Sequence, residues 1–287
     1  METSDNNTVF DAAFDRGMDA FNQGNYEEAV ALFTQPITIE PSNAKAYCRR
    51  ENHLQAIADY TQAIKLNPND ASSYVDRGVS YANFGDRSKA IEDLTRAIEI
   101  DPNNEYAYYE CGRLYDELRD HAKAIEDFTQ TIKFCPNLAG VYHARGRASA
   151  ALGDHTKAIE DYTRAIEIDP SYIEAYKFRG LSYLSLGDRP KAIEEWTQVI
   201  EIDTNDKDAY YARGSMYEIR GEYSKAIEDL TRVIEIDPNY AWAYCTRGKS
   251  YLALDDPKNA TLDARKACEL GDCGLLEKMK EQGKICD

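Results

Sequence analysis

Between residues 137 and 170 the apolar side chains recur with the period of an α-helix. In the second half of this segment Ala158 and Tyr162 share one helical face, and polar residues occupy the other. Gly153 interrupts the pattern, because its backbone is permissive and favours a turn. Pro170 ends it, because proline cannot continue a helix. The segment is therefore predicted to fold as a helix, a short turn and a second helix.

The same pattern returns along the chain at a fixed interval of 34 residues. Each interval has a glycine in its first predicted helix and an alanine twelve residues later in its second. The glycines are Gly78, Gly112, Gly146, Gly180, Gly214 and Gly248, and the alanines are Ala90, Ala124, Ala158, Ala192, Ala226 and Ala260. A fixed period of this length predicts a solenoid, in which each helix pair buries its apolar face against the next pair.

The side-chain spacing within one period resembles the tetratricopeptide repeat. In the unit at 69–102 the matching positions are Tyr74, Gly78, Tyr81, Ala90, Leu94, Ala97 and Pro102. The resemblance covers about residues 8–272. It implies an all-α fold, a right-handed α-solenoid (superhelix) of stacked 34-residue helix–turn–helix units. It also implies a concave groove, lined by the first helices, that holds a peptide or helix of a partner protein.

The resemblance divides the chain into an N-terminus at 1–7, which we expect to be disordered, an array at 8–272 and a C-terminal segment. The units of the array are 8–41, 42–68, 69–102, 103–136, 137–170, 171–204, 205–238 and 239–272, and residues 273–287 are predicted to form a capping helix and tail. The unit at 42–68 is seven residues short. Its two helices either fuse into one helix over about 43–65 or leave a stunted first helix with a loop at 50–53.

Charge and composition restrict the function. The net charge of −17 disfavours nucleic acid and anionic membranes as partners. The seven cysteines form no CxxC motif, which favours reduced thiols over a disulfide framework. The N-terminal sequence lacks the features of a secretory signal, and no apolar run is long enough to span a bilayer. We therefore expect an acidic, cytoplasmic protein with no nucleic-acid or membrane partner.

The sequence contains no G-x-G-x-x-G, P-loop, HExxH or nucleophile-elbow motif. The chain is therefore predicted not to be an enzyme and to have no cofactor and no metal site. Cys268, Cys273 and Cys286 lie close together in sequence without a nearby histidine, whereas a structural zinc site needs four ligands. We predict that they pack within the cap, and a thiol- or metal-dependent sensor is a distant alternative.

An arginine precedes most of the repeat glycines, and an acidic residue stands sixteen positions after most of these arginines. The arginines are Arg16, Arg77, Arg145, Arg179, Arg213 and Arg247, and the acids are Asp93, Asp161, Glu195, Asp229 and Asp263. We interpret them as bidentate ion pairs inside or between helix pairs, and not as a basic ladder that binds anions. Cys111 replaces the arginine in one unit.

The positions that the resemblance assigns to the groove differ from unit to unit. The candidate partner-binding residues are Tyr106, Tyr109, Arg113, His143, Arg147, Lys177, Tyr211, Trp242 and Lys249. Arg113, Arg147 and Lys177 are predicted to form a basic spine between aromatic side chains, so that the expected ligand is a peptide or helix with acidic and apolar groups. Drift of an unconstrained surface would produce similar variation.

The predicted function is a non-catalytic scaffold or adaptor that binds another protein and is a monomer or associates weakly with itself. The alternative is a structural repeat protein that assembles with its own copies through the irregular N-terminal end. The sequence does not identify the partner.

Overall fold

The computed structural model of the chain describes residues 41–285 and the single positions 16, 19, 20, 23, 25 and 28; for 41–51 it describes the backbone alone. The predictions for residues 1–7, and most of the unit at 8–41, lie outside the described residues. The described part of the chain is helical and contains no strand. The chain divides into two compact units, Met1–Asn137 and Leu138–Asp287.

Five helices of the first unit have both ends within the described residues. They are α1 (Pro41–Leu66), α2 (Ala71–Phe84), α3 (Arg87–Ile100), α4 (Glu105–Glu117) and α5 (His121–Phe134). Each packs against the next one along the chain. Helix α1 runs for 26 residues without a break. The short unit at 42–68 therefore has the fused helix, because the deletion removed the Gly-Asp turn that separates the two helices in other units.

The second unit consists of four helix pairs and a short final helix. The pairs are α6 (Ala139–Ala151) with α7 (His155–Ile168), α8 (Ile173–Ser185) with α9 (Arg189–Ile202), α10 (Lys207–Ile219) with α11 (Tyr223–Ile236), and α12 (Ala241–Ala253) with α13 (Pro257–Glu269). The final helix is α14 (Gly274–Glu281). Consecutive pairs stack, and α14 packs on both helices of the last pair. Within the unit the architecture is thus an α-solenoid.

The two helices of a pair approach most closely at the repeat glycine. A Cβ atom built on Gly146 would lie 2.7 Å from Cε1 of Tyr162, which is shorter than a van der Waals contact. The Tyr162 side chain is fully buried and has no room to withdraw. Ala158, also fully buried, lies on the same crossing. The small side chains at these two positions therefore allow the helices to pack closely.

A short turn joins the helices of each pair. In most pairs an aspartate accepts a hydrogen bond from the backbone N–H three residues later and so caps the second helix. These caps are Asp86, Asp120, Asp154, Asp188 and Asp256. The preceding residue adopts a positive φ, as Gly153 does at 86°. Arg119 takes the same position with φ of 62°, and a side chain in this region costs about 1–2 kcal/mol.

Arginine–acid pairs join the two helices of most pairs, and several of these arginines also reach the preceding helix pair or helix. Arg213 donates from Nε and Nη2 to the two carboxylate oxygens of Asp229 at 2.9 and 2.8 Å. Its Nη1 donates to Oγ1 of Thr197, on α9, at 3.0 Å. One guanidinium therefore holds three helices together. Equivalent clamps are Arg77–Asp93–Thr61 and Arg247–Asp263–Thr231, and Arg145 binds Asp161. Arg179 binds Thr163 and Glu195, but it reaches Glu195 through Nη2 alone. The interpretation as structural pairs is confirmed for Arg77, Arg145, Arg179, Arg213 and Arg247, and the bidentate geometry for all of these except Arg179.

The clamp is incomplete around α4, where the arginine is replaced by Cys111. The Cys111 side chain is 2 % exposed, and burial raises the pKa of its thiol to about 12. The acid of this clamp, Asp127, has neither a hydrogen bond nor an ion pair to another side chain among the described residues. Burial raises the pKa of its carboxyl to about 7, with a smaller contribution from Glu126.

The expectation of reduced thiols is wrong for one pair of cysteines. Cys268 and Cys273 form a disulfide, and their Cα atoms lie 4.0 Å apart. Gly271, with φ of 102°, reverses the chain between α13 and α14 and so brings these two positions together. A sequence search for CxxC could not detect this pair, because five positions separate the two residues. Free cysteines in the described residues are Cys111, Cys135 and Cys245.

Candidate functional site

The predicted aromatic contacts of the first unit lie on α4 and differ in accessibility. About half of the Tyr106 side chain is exposed. Tyr109 packs against Phe128 of α5, with the ring centroids 6.2 Å apart. Tyr106 is thus available at the surface of α4, whereas Tyr109 contributes to the packing of its own helix pair.

The Arg113 guanidinium is held by two carboxylates of its own helix. Nη2 lies 3.0 Å from Oε2 of Glu110, and Nη1 is paired with Glu117. These pairs occur at spacings of three and four residues, which place the side chains on the same face of a helix. Arg113 is therefore already neutralised within α4.

In the second unit the predicted contact residue His143 lies in the packing and not on the surface. Only 9 % of its side chain is exposed. The ring lies within 6 Å of the rings of Tyr162, Tyr172 and Phe178, and its Nδ1 is 3.2 Å from the Tyr172 hydroxyl oxygen. Burial, together with the charge of Arg147, lowers the pKa of His143 to about 4. The side chain is therefore neutral at physiological pH and supports the helix crossing.

The remaining cations of the predicted spine are also engaged inside the second unit. The Arg147 side chain is exposed, and its guanidinium carbon lies 5.9 Å from the centroid of the Phe178 ring. Lys177 forms an ion pair with Asp206, which also caps α10 by accepting a hydrogen bond from the backbone N–H of Ala209. A cation with an internal partner gives up that partner before it can bind a ligand.

An aromatic cluster lies on α10 and α12. The Tyr211 and Tyr240 rings meet edge to face with centroids 5.2 Å apart, and Tyr240 meets Trp242 in the same way at 6.0 Å. Trp242 is 62 % exposed. Leu181 on α8 is about half exposed, and Ile219 on α10 is slightly more than half exposed. These three exposed apolar residues occupy positions at which the units differ.

Lys249 borders an open cavity of about 720 Å³ between α12 and α14. Leu252 and the buried side chains of Leu275 and Met279 form its apolar part, and Lys278 and Lys284 also line it. Among the described residues, Lys249 has no ion pair. Lys278 on α14 and Lys284 beyond its end were not among the predicted contact residues, because this segment was predicted only to cap the array. The available signal was a lysine, Lys278, directly before the apolar Met279.

Cys245 lies in the wall of the same cavity. Burial raises the pKa of its thiol above the usual range, with the nearby Lys249 opposing the effect. A protonated thiol is a poor nucleophile and metal ligand. Within the described ranges, no group of three or more histidine, cysteine or acidic side chains is arranged to hold a metal ion.

The stacked helix pairs and the variable residues on their first helices define an α-solenoid of the kind that serves as a protein–protein interaction scaffold. Sequence profiles described as "Tetratricopeptide repeat" match residues 44–108 and 94–126, and a profile described as "TPR repeat" matches 146–187 and 214–255. The chain belongs to the tetratricopeptide-repeat family. Proteins of this family are generally non-catalytic scaffolds that bind other proteins.

Solved structures resemble the chain over more than half of its length. A crystal structure of MamA is 28 % identical with a TM-score of 0.55 and covers 57 % of this chain and 96 % of its own. YrrB, described as a TPR protein with an unusual peptide-binding site, is 19 % identical with a TM-score of 0.58 and covers 67 % and 99 %. A tetratricopeptide-repeat protein from Parabacteroides merdae is 20 % identical with a TM-score of 0.52 and covers 96 % and 97 %. The last two likenesses show the fold alone.

No curated protein matches the chain significantly. Among the helices that the structure describes, none combines the length and the hydrophobicity needed to cross a bilayer.

Proposed function

We propose that the protein is a non-catalytic adaptor that binds a peptide or helix of a partner protein on the first helices of its second unit. The observation that carries this proposal is the exposure of Trp242 within the aromatic cluster of α10 and α12. Tryptophan and tyrosine are over-represented among the residues that dominate binding energy in protein interfaces. The family relationship supports protein binding in general.

The position of the exposed apolar residues favours recognition over drift. Exposed leucines also occur at Leu152, Leu186 and Leu254, six positions after the repeat glycine. These turn leucines recur and so belong to the repeat framework. Trp242, in contrast, stands where the other three pairs of the second unit carry Gly140, Glu174 and Asp208. A large apolar residue that occurs at this position in one of the four pairs, beside two tyrosine rings, suits a specific anchor.

The proposed contacts are chiefly apolar, with Tyr211 and Trp242 at the centre. The predicted basic spine has a smaller role, because Lys177 is paired with Asp206 and Arg147 lies beside Phe178. The alternative function, self-assembly through the N-terminal end, concerns residues that lie mostly outside the described part of the chain.

The test is affinity capture from native cell extract with the wild type, Trp242→Ala and Leu254→Ala. Both substitutions remove an exposed apolar side chain from the last helix pair or its turn, so Leu254→Ala controls for general loss of surface hydrophobicity. We expect a protein that is retained by the wild type and by Leu254→Ala and is lost with Trp242→Ala. Equal capture by all three, with unchanged circular dichroism, would refute the proposal.

A further inference from the structure

In the described part of the second unit, lysines without an ion pair concentrate at one end. Six lysines of this unit form ion pairs inside it: Lys157, Lys177, Lys191, Lys207, Lys225 and Lys266. The lysines with no ion pair among the described residues are Lys249, Lys258, Lys278, Lys280 and Lys284. Of these, Lys249, Lys278 and Lys284 all line the cavity between α12 and α14, which we call the lysine cavity.

The lysine cavity combines an apolar floor with a modest positive charge. Leu275 and Met279 are buried beneath it. Its lining includes two carboxylates, Glu218 and Asp272, against the three ammonium groups. Asp272 is partly engaged, because its Oδ1 accepts a hydrogen bond from the backbone N–H of Gly274 at 3.2 Å. In a chain of net charge −17, a local excess of cations is the exception.

The lysine cavity and Trp242 of the aromatic cluster lie on the same face of α12. Trp242 and Lys249 stand seven residues apart on α12, which is two helical turns, so both lie on the same face about 10 Å apart along the axis. Ile219, at the end of α10, directly follows Glu218, which lines the cavity. An extended peptide spans about 10 Å with three or four residues.

We infer that the lysine cavity receives an acidic side chain of the bound partner peptide, three or four residues from an apolar side chain that packs on Trp242. This inference rests on the proposed function and adds the chemistry of the ligand. A carboxylate that enters the cavity exchanges water for the ammonium groups of Lys249 and Lys278, and its apolar neighbours cover Leu275 and Met279.

The two resident acids select for a single negative charge. Glu218 and Asp272 repel a second charge on the ligand, and this repulsion opposes a phosphorylated side chain of charge near −2. The lysine cavity therefore fits aspartate or glutamate better than a phosphate. The contact with the acidic group of the ligand is thus assigned to the lysine cavity at the end of the unit and not to the predicted basic spine. The lysines of this cavity have no ion pair that a ligand would have to break.

The test begins with twelve-residue random peptides displayed on phage and selected against the intact chain. Recovered peptides, labelled with fluorescein, are titrated by anisotropy against the wild type, Lys249→Glu, Lys278→Glu and Lys280→Glu. Lys280 lies on α14 but outside the cavity lining, so Lys280→Glu makes the same change of charge as a matched control.

We expect recovered peptides to carry an aspartate or glutamate three or four positions from a large apolar residue. Lys249→Glu or Lys278→Glu should raise Kd at least tenfold, while Lys280→Glu changes it less than twofold. When lysine replaces the acid of the peptide, Lys278→Glu should bind the changed peptide, whereas Lys280→Glu should not. Circular dichroism verifies that each variant is folded.

The outcomes separate this inference from the proposed function. Peptides that lose affinity with Trp242→Ala but bind Lys249→Glu and Lys278→Glu normally would overturn the inference and leave the proposed function intact. Equal weakening by Lys280→Glu would also overturn it, because the effect would then be one of net charge. Recovery of no peptide, or only of peptides indifferent to Trp242→Ala, would overturn both.

Discussion

Restoring the missing clamp of α4 provides the sharpest test of how the helix pairs are held. In Cys111→Arg the new guanidinium takes the place that arginine has in the other units. Its partners are in position, because Asp127 on α5 and Thr95 on α3 stand at the same sequence offsets as Asp229 and Thr197 do from Arg213. The substitution should therefore give the unpaired Asp127 carboxylate a cationic partner.

The size of the effect follows from the pKa of Asp127. A rise from the ordinary 3.8 to about 7 corresponds to at most about 4 kcal/mol of destabilisation once the carboxyl is ionised. Asp127 is partly exposed, and screening by water reduces this figure to about 1–2 kcal/mol. Against this gain stands the cost of placing a larger side chain at a buried position, about 1–3 kcal/mol.

The pH dependence separates the stability gained by pairing Asp127 from the packing cost of the larger side chain. Because the pKa of Asp127 is raised in the folded state, its proton stabilises the wild type below about pH 4, and this contribution is lost as the pH rises towards 7. The packing cost does not depend on pH. The free energy of unfolding of Cys111→Arg relative to the wild type should therefore increase by about 1–2 kcal/mol between pH 5 and pH 8.

The assay is urea unfolding followed by circular dichroism at pH 5 and pH 8, with hydrogen exchange of the α4 and α5 amides as a local readout, because repeat arrays can unfold in parts. Cys111→Met is the control: it enlarges the side chain without supplying a cation and should show no such change between the two pH values. A relative stability of Cys111→Arg that is equal at both pH values, or lower at pH 8, would refute the reasoning.

Three further substitutions test the framework by urea unfolding. Arg119→Gly should stabilise the protein by about 0.5–1 kcal/mol by relieving the positive φ, and destabilisation would show that the Arg119 side chain has another role. Gly146→Ala should cost about 1–3 kcal/mol, whereas Gly140→Ala, where a Cβ has no neighbour within 4 Å, should be neutral or stabilising; equal effects would contradict the close approach. Arg213→Leu should cost about 3–5 kcal/mol by leaving Asp229 buried and unpaired, and a loss below about 1 kcal/mol would refute the clamp.

The framework was predictable because its determinants are local and repeat. The sixteen-residue offset between Arg213 and Asp229 places them on adjacent helices of one pair. The guanidinium of Arg213 then lies opposite the carboxylate of Asp229 and can form two parallel hydrogen bonds with it. The third member of the clamp was missed although its signal recurs. A threonine stands sixteen residues before the arginine, as Thr197 does before Arg213. Because this threonine belongs to the preceding helix pair, its hydrogen bond with the arginine helps to define how the pairs stack.

The features that sequence reasoning missed depend on how the chain turns. The Cys268–Cys273 disulfide needs the reversal at Gly271, and the lysine cavity needs α14 to fold back onto α12. Neither is specified by a periodic pattern. Both lie at the end of the array, where the repeat no longer defines the neighbour of each helix.

The candidate contact residues show why variable positions alone do not identify a binding surface. Lys177 differs from the residues at its position in other units, yet it is matched by Asp206, the cap of α10. Arg113 is matched by Glu117 one turn later. Two changes that compensate each other look like variation for recognition when each position is considered alone. Lys249 differs, because the residues three and four positions away on either side of it include no acid. A variable cation without an acid in reach on its own helix is therefore the better candidate for contact with a partner.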